Sequence, residues 1–354
     1  MKVVLISPLP PPVGGVATWT QAYLEAAGDA GFQTVCVNTN YEGRTQLVTG
    51  RRSIRDELKR AARIWRDVRR KVRSEAPDVV HLCSACSLTG NLRDLITFGV
   101  ARAACRSARL ILHCHCSLQD YVGGSGLNRR VFRWLCRRTD SVLVLNRQSQ
   151  RYAEELGVRG VRCVPNFAAG PEVEPADAPD QDDCFRVLFL GRTTFDKGFD
   201  VLAEVARRMQ EANRRVVFDV VGPKDEELSR MGTLPPNMTL HGPLPHEEAM
   251  ARMRRADAFM LPSRTEGFPY VVLEAMMYGV PVVASDVGSI GEMLEGTGAA
   301  VLPSHAPEDF CQALQDCMDG GAAGEISRKE KERYQRLYTP QSVMAQLKRI
   351  YSGE

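Results

Sequence analysis

A chain of 354 residues is long enough for two ordinary domains and too long for a bare binding module. With 44% hydrophobic and 25% charged residues it has the composition of a folded globular protein, not of a disordered or fibrous one. The net charge of +3 hides an asymmetry: through Phe167 there are 26 basic and 13 acidic side chains, and from Ala168 onward 20 and 30. The first half is therefore expected to face something anionic, either a membrane surface or a nucleic acid.

Short β-branched runs recur along the chain, each followed by a helical pattern. The first six are Val3 to Ile6, Thr34 to Val37, Asp78 to Leu82, Arg109 to His113, Ser141 to Leu145 and Val161 to Val164. Residues Ala168 to Asp183 are acidic, proline-rich and without apolar period, which reads as a linker. The pattern then restarts with Val187 to Leu190, Val216 to Val221, Met238 to Leu240, Ala258 to Leu261, Pro281 to Ala284 and Ala299 to Leu302. Such alternation predicts an α/β fold of two doubly wound parallel-sheet domains, at residues 1–168 and 185–337, joined by a linker at 169–184. Ligands of open parallel sheets bind beyond the carboxyl ends of strands, so two such sheets in tandem are expected to share one cleft.

No run approaches the roughly 18 apolar residues that span a bilayer, and Met1 to Pro8 lacks the flanks of a signal peptide. A cytoplasmic location is expected. Eleven cysteines then fit reduced thiols, most of them in the core, better than a disulfide framework.

The loops after strands carry the informative residues. Gly14 and Gly15 precede a helix-like segment and would let backbone N–H groups approach an anion, although a tight strand-to-helix turn needs the same glycines. Arg192 and Lys197, five positions apart on one loop, can clamp two phosphates, or they are solvated surface charges. Pro269 is placed in the first turn of a helix through Tyr278, whose free N–H groups make a second anion site. Glu266 lies ahead of that helix and Glu274 one to two turns inside it. Carboxylates beside a diphosphate are unfavourable unless they accept hydrogen bonds from hydroxyls. The ligand expected is a nucleotide with hydroxyl-rich material attached.

Glu266 and Glu274 around Gly267-Phe268-Pro269, with Gly191-Arg192, Lys197-Gly198 and Gly279 to Ala284, resemble the family-4 retaining glycosyltransferases of the GT-B fold, the glycosyl transferases group 1. The likeness extends to Gly14-Gly15, the His113/His115 strand end and the final segment, and so covers nearly the whole chain. It implies two Rossmann-like domains, an acceptor domain first and a donor domain second, with a helix in 338–354 crossing back to the first. It further implies that Arg192 and Lys197 hold the donor diphosphate, Glu274 the ribose and Glu266 the hydroxyls of the transferred sugar. Gly267, Phe268, Pro269 and Val271 would contact sugar and phosphate. The segment His241, Gly242, Leu244 would meet the nucleobase through its backbone, and Gly14 and Gly15 would close on the donor. His115 would hydrogen-bond the donor sugar, while His113, on the same strand face by the period of two, is structural. One departure is Gly288-Ser289, where many relatives have a glycine pair; Glu292 after it is taken as supporting.

The resemblance implies transfer with retention and with neither metal nor cofactor. A UDP-sugar is the favoured donor and GDP-mannose the alternative. Arg51 to Arg73 reads as an amphipathic helix with Ile54, Leu58, Ala61, Trp65, Val68 and Val72 toward the core and a basic outer face. Asn128 to Arg138 places five arginines around Phe132 and Trp134. Either face is simply solvated, or both meet anionic lipid, with a saccharide or lipid-linked saccharide as acceptor. Such an acceptor places the enzyme in cell-surface polysaccharide or glycolipid synthesis. No nucleic-acid module is recognisable. Three competing readings stand beside this one: a zinc site on Cys83, Cys86, His113 and His115, a nucleotide-sugar epimerase, and a non-catalytic nucleotide-sugar-binding subunit.

Overall fold

The computed structural model describes all residues except 13, 42–52, 171–183, 213 and 225–232, so most of the expected linker lies outside the described residues. The chain divides into two compact units, Met1–Phe167 with Thr339–Glu354, and Ala168–Tyr338. Each is built on one parallel six-stranded sheet.

In the first unit the strands are β1 (Lys2–Ser7), β2 (Gln33–Asn38), β3 (Val79–Ser84), β4 (Arg109–Cys114), β5 (Ser141–Val144) and β6 (Val161–Cys163), in the order β2-β1-β3-β4-β5-β6. The helices are α1 (Gly15–Ala27), α2 (Ile54–Glu75), α3 (Leu88–Ala104), α4 (Leu118–Gly123), α5 (Gly126–Cys136) and α6 (Arg147–Glu155). Near-continuous apolar strands are what a sheet covered on both faces requires. Val80, Leu82, Leu110 and Leu112 pack with Val68, Val72 and Phe98 in one core cluster. His81 and His113, offset by one from those residues, meet Trp19 and Tyr23 of α1.

Helix α2 opens on Ser53, whose side chain accepts from the Arg55 N–H, and closes on Ala76 in the left-handed region. Its buried stripe is Ala61, Ile64, Val68 and Val72. Leu58, expected in the core, is 62% exposed, and Ile64, on the opposite flank of the same stripe, is buried in its place. On α5, Phe132 is buried while Trp134 is exposed under the Arg138 guanidinium, 4.3 Å from its ring.

The second unit has β7 (Phe185–Leu190), β8 (Val216–Val221), β9 (Met238–Gly242), β10 (Ala258–Leu261), β11 (Val282–Ser285) and β12 (Ala300–Leu302), in the order β12-β11-β10-β7-β8-β9. Its helices are α7 (Phe199–Glu211), α8 (His246–Arg255), α9 (Tyr270–Tyr278), α10 (Ile290–Met293), α11 (Pro307–Asp319) and α12 (Ala323–Leu337). The last helix, α13 (Pro340–Ser352), belongs to the first unit, where the Tyr351 hydroxyl meets His81 Nδ1 and Tyr23, and Gln346 donates to the Cys163 carbonyl. All eleven cysteines are free thiols; five are buried and six are half-buried, fewer in the core than expected. No helix among the described residues is long and apolar enough to cross a membrane.

One buried acid in α12 predicts a pH effect. Glu330 accepts from the Val282 N–H at 3.1 Å, its other oxygen has no partner, and burial pushes its pKa up to about 8. An unfolded glutamate releases its proton near 4.5, so between that pH and 8 the native state alone keeps the proton. Stability therefore falls as pH rises through this window and is flat above it. Glu330→Gln is expected to remove the slope and to stabilise the protein at about pH 9 by on the order of 2–4 kcal/mol, with little change at about pH 5, read by urea denaturation. Equal effects at both pH values would refute a raised pKa.

Candidate active site

The donor-side residues converge on two loops of the second unit. Gly191-Arg192 follow β7, and the loop then makes a one-turn 3-10 helix, Phe195–Lys197, closed by Gly198 in the left-handed region at φ +69°. A β-carbon on Gly198 would lie 1.9 Å from the Pro262 carbonyl oxygen, so only glycine lets this loop rest on the loop that leaves β10.

That close approach sets the chemistry. Lys197 Nζ reaches Glu266 Oε1 at 2.7 Å, and the Ser263 hydroxyl donates to the same oxygen at 2.8 Å. Both charged side chains are mostly buried, at 23% and 10% exposure, where an ion pair is screened far less than at the surface. Arg192 is half exposed and faces Asp196 at 3.4 Å. Each of the two expected phosphate ligands thus faces a carboxylate.

Arg264, which sequence reasoning left without a role, ties the loops together. Its guanidinium is bidentate to Asp200 at 2.7 and 2.8 Å, donates to the Phe195 carbonyl at 2.6 Å and lies 3.7 Å over the Phe195 ring. Its backbone N–H donates to the Asp196 carbonyl. No local pattern announces this, since its partners lie 64 and 69 residues away.

The Glu266-Gly267 backbone is clamped from the other side. Gly288, at φ +61°, leaves no room for a β-carbon, which would lie 2.1 Å from the Glu266 carbonyl. Ser289 donates to the Gly267 carbonyl from both its N–H (3.1 Å) and its hydroxyl (2.7 Å). Helix α9 begins at Tyr270, so Pro269 is its N-cap and not part of its first turn as expected. Pro269 has no N–H and its carbonyl accepts from Val272, so either position suits proline. Phe268 is buried edge-on to Tyr338, and Val271 is half-buried. Glu274, in α9, has its pKa raised to about 7 by burial, and His246 Nδ1 stands 3.9 Å from its oxygen.

His241 occupies a register shift between β8 and β9: Leu240 pairs with Val220 and Gly242 with Val221, which leaves His241 as the extra residue. Its ring turns onto Asp219, which also faces Arg252 at 3.7 Å. Gly242 follows at φ +74°, and Leu244 is half-buried on the stretch before α8.

The remaining candidates lie in the first unit, a separate body from the donor loops. Gly14 caps α1 and Gly15 begins it; a β-carbon on either would meet nothing within 4 Å. His115 follows β4, with its ring 3.9 Å from that of His113 and 4.9 Å from that of Trp19. The common face expected for the two histidines is observed. Burial pulls the His115 imidazole down to about 3, so it is a neutral hydrogen-bonding group. His113 is fully buried and bonded to His81, which sequence reasoning missed although it stands two residues before Cys83 on β3. Among the described residues the metal-capable group is His81, Cys83 and His113, not the set with Cys86 and His115.

The family model "Glycosyl transferases group 1" matches residues 184–319, and "Glycosyltransferase Family 4" matches residues 13–168. Glycogen synthase of Mycobacterium tuberculosis is 28% identical over 240 residues, 61% of this chain and 55% of that protein. D-inositol 3-phosphate glycosyltransferase 1 of Catenulispora acidiphila is 30% identical over 155 residues, 40% of this chain and 37% of its own. The chain thus spans about half or less of the length of these relatives. Among solved structures, sucrose-phosphate synthase from Thermosynechococcus elongatus superposes with a TM-score of 0.76 at 18% identity, covering 99% of this chain and 98% of that one. Anabaena HepE in complex with UDP and glucose gives 0.73 at 16% identity over the full length of both. These likenesses establish the two-sheet GT-B fold.

Proposed function

The chain belongs to the glycosyl transferases group 1 of glycosyltransferase family 4, and from that premise we propose that it transfers a sugar, with retention, from a nucleoside diphosphate sugar to a hydroxyl of a saccharide acceptor carried on lipid. The observation that carries the reading is Lys197 held against Glu266 and Ser263, with Arg192 on the same loop, at the carboxyl ends of neighbouring strands. As the glycosidic bond breaks, negative charge builds on the departing diphosphate. Arg192 and Lys197 supply the compensating potential, exchanging a carboxylate partner for phosphate, so the step needs no divalent cation. Glu266 takes hydroxyls of the transferred sugar and Glu274 those of the ribose. The backbone from Gly267 to Val271 lines the sugar and phosphates, and that of His241, Gly242 and Leu244 meets the base. His115, neutral and with a buried Nε2 that lacks a partner, offers a hydrogen bond to a sugar hydroxyl. The room left beside Gly14 and Gly15 suits the approach of an anionic ligand to α1.

UDP is the favoured nucleotide, in keeping with the UDP bound in the HepE structure. The acceptor reading is supported by a cavity of about 820 Å³ in the first unit, where Arg60 and Arg93 stand beside Leu58, Trp65, Leu92 and Ile96. Arginines beside apolar side chains suit an amphiphile with an anionic head. Arg130, Arg133 and Trp134 of α5 and Arg137 at its C-cap surround a second hollow, an arrangement suited to anionic lipid at a membrane surface.

Three measurements test this. UDP or a UDP-sugar at 100 times its Kd is expected to stabilise the protein by about 3 kcal/mol in a thermal-shift screen. The matching sugar should then pass to a lipid-linked acceptor with its anomeric configuration kept and with no loss in EDTA. No shift with any UDP or GDP compound would end the donor reading. Flotation with anionic vesicles should show binding that fades with salt; none at low ionic strength would end the membrane reading.

A further inference from the structure

We propose that His81, Cys83 and His113 form a transition-metal site in the first unit, with zinc as the cation it fits. The ligating atoms of the three residues lie within 4.8 Å of one another, and His81 Nε2 stands 3.2 Å from His113 Nδ1. Two nitrogens bound to one tetrahedral zinc at its usual bond length lie about 3.3 Å apart. The two imidazoles are therefore already spaced as ligands. Closing the thiol onto the metal needs a movement of at most about 1.3 Å, since a zinc-bound sulfur and nitrogen lie roughly 3.5 Å apart and no pair of the ligating atoms is more than 4.8 Å apart.

The surroundings match what such a site requires. His81 and His113 are fully buried and Cys83 nearly so, which shields the three groups from bulk water. The other nitrogen of His81 is fixed by the Tyr351 hydroxyl, which in turn meets Tyr23, an outer shell that sets the tautomer with Nε2 free to ligate. His113 Nε2 is buried without a hydrogen-bond partner, so the hydrogen now shared between the two rings can move to it when a metal takes its place. Cys83 also lines the cavity of about 820 Å³, the side from which a cation and a fourth, water ligand would have to come. The proton balance is simple: zinc forms bonds to two neutral nitrogens and one thiolate, the His113 proton moves from Nδ1 to Nε2, and the Cys83 thiol proton leaves to solvent. One proton is released per zinc bound.

The test uses the full chain and cobalt(II) alone, under nitrogen, with neither donor nor acceptor. Expected are a sulfur-to-cobalt charge-transfer band and the visible bands of four-coordinate cobalt, both bleached by an equivalent of zinc. Cys83→Ser should abolish the charge-transfer band, and Tyr351→Phe, which removes only the outer-shell hydroxyl, should weaken binding by about 10–100-fold. Absence of the bands, or a charge-transfer band that survives Cys83→Ser, overturns the proposal. Should Cys83→Ser fail to fold, alkylation of the unmodified protein decides: zinc must protect Cys83 selectively among the eleven cysteines, and equal labelling with and without zinc refutes the site.

Discussion

Lys197→Met is expected to lower kcat by about 10²–10³-fold, equivalent to roughly 3–4 kcal/mol of lost transition-state stabilisation. Two effects act in the same direction. The ammonium that would meet the departing diphosphate is removed, and Glu266, now left with Ser263 alone, stands as an uncompensated carboxylate beside the incoming phosphates. The second effect can be separated from the first. Glu266→Gln abolishes the repulsion, so the double variant should lose less than the sum of the two single losses. Saturating initial rates on all three variants, with Arg129→Ala on the exposed face of α5 as a control, measure this. A Lys197→Met enzyme within threefold of the original rate, or strictly additive losses, would remove the electrostatic basis of the proposed mechanism.

Gly198→Ala should damage the protein more broadly. The new methyl group would lie 1.9 Å from the Pro262 carbonyl, in a backbone conformation that already disfavours a side chain. The two loops must then part, which loosens the Lys197–Glu266 pair and the Arg264–Asp200 bridge together. A cost on the order of 3 kcal/mol or more is expected, seen as a fall of about 6–12 °C in Tm together with loss of nucleotide-induced stabilisation. Gly15→Ala is the control, because a β-carbon there meets nothing within 4 Å and α1 already has helical geometry at that residue. If both variants melt alike, the contact between the loops is not what positions Lys197.

Much of this molecule could be read locally. The twelve strands of the described residues lie where short apolar runs are bounded by turn residues, because the inner strands of a parallel sheet are buried on both faces; β10, Ala-Phe-Met-Leu, shows that the run need not be β-branched. The loops that follow the strands, with Arg192, Lys197 and Glu266, and Glu274 in the helix after one of them, stood out because strand ends are where such sheets expose backbone and charge. Helix faces were less legible. A period of 3.6 fits both Leu58 and Ile64 as members of the α2 stripe, and only packing against β1, β2 and α3 selects Ile64.

What the order of residues determined by itself is thus the class of fold and the set of polar side chains gathered at strand ends, since both follow from interactions within a few positions. The tertiary structure decided their pairing. Because β10 lies beside β7 in the sheet, Glu266 meets Lys197 across 69 residues and Arg264 meets Asp200 across 64. Because β4 lies beside β3, His81 meets His113, and α13 brings Tyr351 to His81 from 270 residues away. Strand order is a global property of packing, in which many arrangements satisfy the same local periods, so these contacts leave no trace in spacing along the chain.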